Sequence, residues 1–89
     1  MRFFMSTVQE IIRQVMQSER EIDSDISMLI SFNSDIDEAI SFTNKTLAGS
    51  EKGYDQQLIQ SLQRTKEQVT QTINQLKQTK TYLEKVRTI

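Results

Sequence analysis

Hydrophobic residues in the first half of the chain recur at a seven-residue spacing, and further apolar residues follow four positions later. The first series consists of Val8, Val15, Ile22, Leu29 and Ile36, and the second of Ile12, Ile26, Ile40 and Leu47. Positions spaced three and four residues apart share one side of an α-helix. The pattern therefore predicts a long amphipathic helix over residues 6–47.

The second half of the chain repeats the seven-residue pattern with fewer apolar residues. The series is Leu62, Val69, Leu76 and Leu83, supported by Leu58, Ile73 and Val86, with Thr65, Thr72 and Thr79 beside it. This spacing is typical of a helix that packs along a coiled-coil seam. It predicts a second helix over residues 55–87.

A short stretch between the two patterns holds both glycines of the chain, which has no proline. Gly49 can adopt the left-handed conformation that ends a helix, and Ser50 or Asp55 can cap the next one. We therefore predict a turn over residues 48–54 that is shaped by Leu47, Gly49 and Gly53. Capping-box spacing at Ser6 and Thr7 predicts the start of the first helix, with residues 1–5 as a frayed leader.

Opposite charge excesses in the two halves indicate how the helices pair. Residues 1–50 contain four basic and eight acidic side chains, whereas residues 51–89 contain seven basic and four acidic ones. Folding the chain back at Ser50 places Asp35 near Lys66, Asp37 near Arg64, Asp23 and Asp25 near Lys77, Glu21 near Lys80, and Phe32 opposite Val69. The predicted fold is an all-α, antiparallel, coiled-coil-like two-helix hairpin that forms a single domain over residues 6–89.

The composition argues against an enzyme. The chain contains no His, Cys or Trp, so imidazole bases, thiol nucleophiles and soft metal ligands are missing. An acidic group is interpreted as a solvated face, because it lacks the loop, the glycine and the spacing of a calcium-binding hand; its members are Asp23, Asp25, Asp35, Asp37 and Glu38. We expect no catalytic residue, no cofactor, no metal site and no small-molecule substrate.

The sequence also gives no sign of a membrane segment. The apolar run near the N-terminus is too short for the core of a signal peptide, and no apolar stretch is long enough to span a bilayer. The net charge of -1 provides no global field for nucleic acid.

Two groups of hydrophobic residues follow from the helical patterns. The expected bundle core or partner-binding surface consists of Ile22, Ile26, Leu29, Phe32, Ile36, Ile40, Leu62, Val69, Ile73, Leu76 and Leu83. A second apolar face on the first helix consists of Ile11, Met16, Met28, Ile30 and Phe42. Because a two-helix unit lacks a closed core, we expect this face to complete a four-helix bundle with a partner or a second copy.

The turn and the two-helix architecture resemble the small Trp-x-Gly (WXG) hairpin proteins of type VII secretion. The triplet Leu47-Ala48-Gly49 has Leu in place of Trp, and the stretch from Leu47 to Leu62 is similar to partner proteins of Leu-x-Gly (LXG) toxins in Gram-positive bacteria. The resemblance implies a chaperone-like accessory or targeting protein that binds the helical domain of a secreted toxin, together with a companion small helical protein.

The same resemblance implies a cytoplasmic protein that can be exported with its partner. The family's C-terminal export signature, an aromatic residue followed four positions later by Asp or Glu, is not met, because Val86 lies four positions after Tyr82. The resemblance therefore implies that a companion chain supplies the export signal.

Two other functions remain open at this point. The heptads are compatible with a homo-oligomeric coiled-coil structural or adaptor protein. A regulator that binds nucleic acid through the second helix is the weaker alternative, because its basic residues are more simply the complement of the acidic first helix; they are Arg64, Lys66, Lys77, Lys80, Lys85 and Arg87.

Overall fold

The protein is a hairpin of two long antiparallel helices, as predicted. The computed structural model describes residues 2–49 and 53–88, with side chains from Thr7 onward. Helix α1 spans Arg2–Thr46 and helix α2 spans Tyr54–Arg87. They pack along each other to form a rod of 74 × 14 × 14 Å. A rod of only two helices has little interior, so most of the described side chains keep contact with solvent.

Helix α1 begins at Arg2, ahead of the expected start at Ser6. No glycine or proline precedes Gly49, so nothing in the local sequence obliges the helix to stop short of Arg2. The capping-box residues thus lie inside the helix, and residues 2–5 of the expected leader belong to α1. Met1 and the side chain of Ser6 lie outside what the structure describes.

The turn is built on two glycines in the left-handed conformation. The Leu47 N–H donates to the Thr43 carbonyl over 2.9 Å as α1 ends, and Gly49 has φ +82°. Gly53, with φ +68°, is the residue that precedes α2, and its carbonyl accepts the Gln57 N–H at 3.1 Å. A residue without Cβ adopts these angles at little cost.

Asp55 does not cap α2 in the expected way. The capping position is Gly53, which has no side chain, and Asp55 lies in the first turn of the helix. A carboxylate there interacts favourably with the positive end of the helix dipole. Ser50, the other expected cap and the expected fold-back point, lies outside the described residues.

The helices meet along a seam whose members alternate at spacings of four and three residues. On α1 the seam consists of Val8, Ile12, Val15, Glu19, Ile22, Ile26, Leu29, Asn33, Ile36, Ile40 and Thr43, and on α2 of Asp55, Ile59, Leu62, Lys66, Val69, Ile73, Leu76, Lys80 and Leu83. All are buried or half-buried, with Ile36 and Ile73 at 5% and 7% exposed. The alternation is the coiled-coil repeat.

The register differs from the one predicted. Asp37 pairs with Lys66 instead of Arg64, and Asp23 pairs with Lys80 instead of Lys77, so each acidic residue meets a base two or three residues further along α2. A heptad pattern specifies which face of each helix packs but not how far one helix is shifted along the other, so the sequence left the register open.

Three apolar residues placed in the predicted packing lie outside the seam. Phe32 is 48% exposed and its neighbour Asn33 takes the seam position, while Leu58 and Val86 are 43% and 52% exposed. The expectation that Phe32 packs opposite Val69 in the interior is therefore wrong, because Phe32 lies beside the seam and Asn33 within it. The heptad of α2 instead places Ile59 and Lys66 in the seam.

Candidate interaction surface

Polar side chains join the two helices along one side of the seam. The Lys66 Nζ lies 2.6 Å from the Asp37 Oδ1, and the Lys80 Nζ lies 2.7 Å from the Asp23 Oδ1. In α1, Asp23 and Asp37 each follow directly after a seam residue, Ile22 or Ile36. We call this the polar side of the hairpin.

Asn33 contributes a further contact on the polar side. Its Nδ2 donates to the Thr70 Oγ1 at 3.1 Å, and the Thr70 hydroxyl in turn donates to the Lys66 carbonyl at 2.9 Å. Since the Thr70 proton is used within α2, its oxygen is left to accept from the Asn33 amide, which fixes the orientation of that amide. The Asn33 Oδ1 is buried and has no hydrogen-bond partner in the described part of the protein.

Glu19 and Arg87 form the most enclosed ion pair of the hairpin. The Arg87 Nε lies 3.1 Å from the Glu19 Oε2, and the Glu19 side chain is only 10% exposed. A carboxylate in this position is stabilised by its cationic partner, because an unpaired buried charge is costly. The pair lies towards the end of α2, where it holds that helix against α1.

The Lys80–Asp23 pair stabilises the hairpin, and this contribution is lost at strongly alkaline pH. The hydrogen bond to Asp23 raises the pKa of Lys80 above 10.5, opposed by desolvation and helped by the charges of Asp23, Glu84 and Glu19. A base whose pKa is higher in the folded state stabilises that state fully below its unfolded pKa, and the contribution is lost as pH rises through the folded pKa.

We therefore expect Lys80→Met to lower the melting temperature at pH 7–9, and the gap to wild type to close as pH rises beyond 10.5. Circular dichroism melts over a pH series measure the gap. Lys77→Met is the matched control, because Lys77 is exposed on the same helix and has no ion pair among the described residues. A gap for Lys80→Met that stays constant through this range would contradict the assignment.

Large apolar side chains collect on the side of the hairpin opposite the polar one. On α1, Ile11 and Phe32 belong to this side, because each directly precedes a seam residue, Ile12 or Asn33. We call it the open face, and define its exposed apolar members as Ile11, Met28, Phe32, Phe42, Tyr54, Leu58, Tyr82 and Val86. Because Asn33 meets Thr70 on the polar side, the opposite sides of α1 and α2 also adjoin and form one continuous surface.

The expected second apolar face is divided between two sides of α1. All its members are exposed, but Ile11, Met28 and Phe42 lie on the open face, whereas Met16 and Ile30 lie on the polar side. The expected core residues other than Phe32 are seam members, and Leu47, 40% exposed, follows the end of α1.

The contribution of α2 to the open face was missed from the sequence. Tyr54, Leu58, Tyr82 and Val86 are between 43% and 68% exposed. Their position is apparent once the seam of α2 is known, because Tyr54, Leu58 and Tyr82 directly precede the seam residues Asp55, Ile59 and Leu83. From the sequence alone, Leu58 and Val86 were assigned to the apolar repeat that packs against α1.

The acidic residues of α1 are spread along the helix. Among residues 2–49 and 53–88 no group of His, Cys, Asp or Glu is placed to hold a metal ion. Asp23 and Asp37 are engaged by lysines of α2 instead. In the same part of the chain, neither helix has the length of apolar sequence needed to cross a membrane.

Comparisons with known proteins do not place the chain in a family. No protein-family model matches it, and no curated protein or solved structure matches it significantly. They add no support to the resemblance to type VII hairpin proteins.

Proposed function

We propose that this chain is a non-catalytic binding partner of another helical protein. The observation that supports the proposal is the open face, a continuous surface on which aromatic and aliphatic side chains remain 43–68% exposed. Large apolar side chains exposed together on one side of a protein are typical of an interaction site. A lone hairpin also gains little from its own seam, where Ile36 and Ile73, at 5% and 7% exposed, are the buried hydrophobic residues among those described.

The more specific form of the proposal is an accessory protein for an LXG effector of type VII secretion. It rests on the resemblance of the Leu47-Ala48-Gly49 triplet, and is supported by the position of that triplet at the tip of a two-helix hairpin, where Gly49 is left-handed. In this role the chain binds the effector's helical domain in the cytoplasm, and the complex presents the surface that the export machinery recognises.

A homo-oligomeric adaptor is the second candidate, because a second copy can also cover the open face. The two candidates differ in the solution mass of the purified chain, which size-exclusion chromatography with light scattering measures across a range of concentrations. The binding-partner proposal predicts a monomer or a loose, concentration-dependent species that forms a defined complex when co-expressed with its helical partner.

The specific form predicts that a neighbouring gene encodes a large LXG protein whose N-terminal helical domain co-purifies with this chain. A stable dimer or tetramer that persists on dilution and excludes that domain would contradict the proposal in favour of the self-assembled adaptor. The same mixture with an unrelated helical domain is the control for non-specific apolar association.

A further inference from the structure

All charged side chains of the open face are acidic. Its charged side chains are Glu21, Asp25 and Asp35, all on α1, and the α2 part contributes none. Every Lys and Arg with a described side chain lies elsewhere: in the seam, on the polar side or on the outer surfaces. None of the three carboxylates forms an ion pair with another described residue.

The α2 part of the open face is also less polar than its composition suggests. Three threonines directly precede seam residues there, and each hydroxyl donates to a carbonyl of its own helix: Thr65 to Ser61 at 3.0 Å, Thr72 to Gln68 at 3.1 Å and Thr79 to Gln75 at 3.0 Å. With the donors used locally, these side chains present methyl groups at little desolvation cost to a docking partner.

The dimensions of the open face suit a helix. Its apolar members on α1 run from Ile11 to Phe42, which corresponds to roughly 45 Å of helix. The surface lies over the junction of α1 and α2, so a third helix placed there contacts both. Bases lie at its border: the Lys85 Nζ is 5.7 Å from the ring centre of Tyr82 at the end far from the turn, and Arg13 and Arg20 line the same shallow depression as Glu21.

We propose, building on the binding-partner function, that the open face docks an amphipathic helix whose apolar stripe is flanked by Lys or Arg. Charge complementarity selects this occupant: basic flanks meet Glu21, Asp25 and Asp35, which form no ion pair with the other described residues. A second copy docked face to face supplies only the same carboxylates and neutral residues. Such like-charge juxtaposition weakens self-association.

Two synthetic helical peptides of about 28 residues test the proposal; this length spans about 42 Å. Both have the same Leu stripe, flanked by Lys in one peptide and by Glu in the other. We expect the Lys-flanked peptide to bind wild type about tenfold more tightly at low salt, since three exposed charge pairs together account for that ratio. The preference should decline as salt is added.

Paired variants locate the binding surface. Phe32→Ser/Phe42→Ser should abolish binding of the Lys-flanked peptide, whereas Met16→Ser/Ile30→Ser, which removes apolar bulk from the polar side, should retain it. Asp25→Asn/Asp35→Asn should reduce the preference between the peptides to about threefold or less. Glu38→Gln/Glu67→Gln removes two carboxylates away from the open face and should leave the preference unchanged.

The outcomes separate this inference from the function on which it rests. Equal affinity for the two peptides, or binding lost in Met16→Ser/Ile30→Ser instead, overturns the inference and leaves the chain a helix-binding protein. A stable dimer that Phe32→Ser/Phe42→Ser converts to a monomer also overturns it, by assigning the open face to a second copy. A monomer that binds neither peptide counts against both the inference and the proposed function.

Discussion

Ile36→Asp should unfold the hairpin. Ile36 is 5% exposed in the middle of the α1 seam, so the substitution leaves a cavity and places a carboxylate in an apolar contact without a cation assigned to it. Changes of this kind cost about 3–5 kcal/mol. A small two-helix unit with so few buried residues does not have that reserve. Circular dichroism at 222 nm should show loss of most of the helical signal at 25 °C.

The same substitution at Ile30 provides the control. Ile30 lies on α1 only six residues away, but it is 54% exposed. Ile30→Asp therefore changes the same chemical groups without disturbing the seam, and we expect a loss of less than about 1 kcal/mol. If the two variants were equally stable in urea titrations, the seam would not be what holds the helices together.

Asn33→Leu should stabilise the hairpin by about 1–3 kcal/mol. Asn33 occupies a seam position with a buried Oδ1 that has no partner in the described residues, and a group of this kind costs that much when it is desolvated. Leucine replaces the amide with apolar surface of similar size and forfeits one hydrogen bond, to Thr70. The melting temperature and the urea midpoint should both rise.

Asn44→Leu separates this effect from helix propensity. Asn44 is exposed on the same helix, so its replacement reports only the gain of about 0.5 kcal/mol that Leu has over Asn in a helix. Asn33→Leu should exceed it clearly. A lower melting temperature for Asn33→Leu would mean that the contact with Thr70 contributes more than the buried oxygen costs.

Asn33 lowers the stability of the seam but can help to fix the alignment of the two helices. A polar residue at a seam position can fix the alignment of a coiled coil at the expense of stability. In this hairpin Asn33 meets Thr70 in the same alignment that pairs Asp37 with Lys66 and Asp23 with Lys80. Asn33→Leu should therefore also weaken the preference for one register, which paramagnetic labels at single introduced cysteines would detect in this cysteine-free chain.

The sequence by itself determined the class of fold. The apolar residues of α1 recur at the helical period from Val8 to Ile40, and the glycines are confined to one junction, so two long helices and a turn follow from local physics. The excess of acid in one half and base in the other indicated that the halves pair. Charge content does not depend on alignment, which is why it could be read without the structure.

Only the tertiary structure decided the register and, with it, the two sides of the hairpin. A heptad repeat allows the helices to slide past each other while still burying apolar side chains, so the residues that pair across the hairpin were known only from the structure. In α2, Leu58 and Ile59 were both plausible seam residues until the structure left Leu58 43% exposed and Ile59 half-buried. The composition of the open face depends on which residues form the seam. Leu58 and Phe42 belong to the open face because the next residues, Ile59 and Thr43, are the ones that pack between the helices. Local periodicity fixes which residues share a helix face, whereas which face becomes the interior is a property of the packed pair.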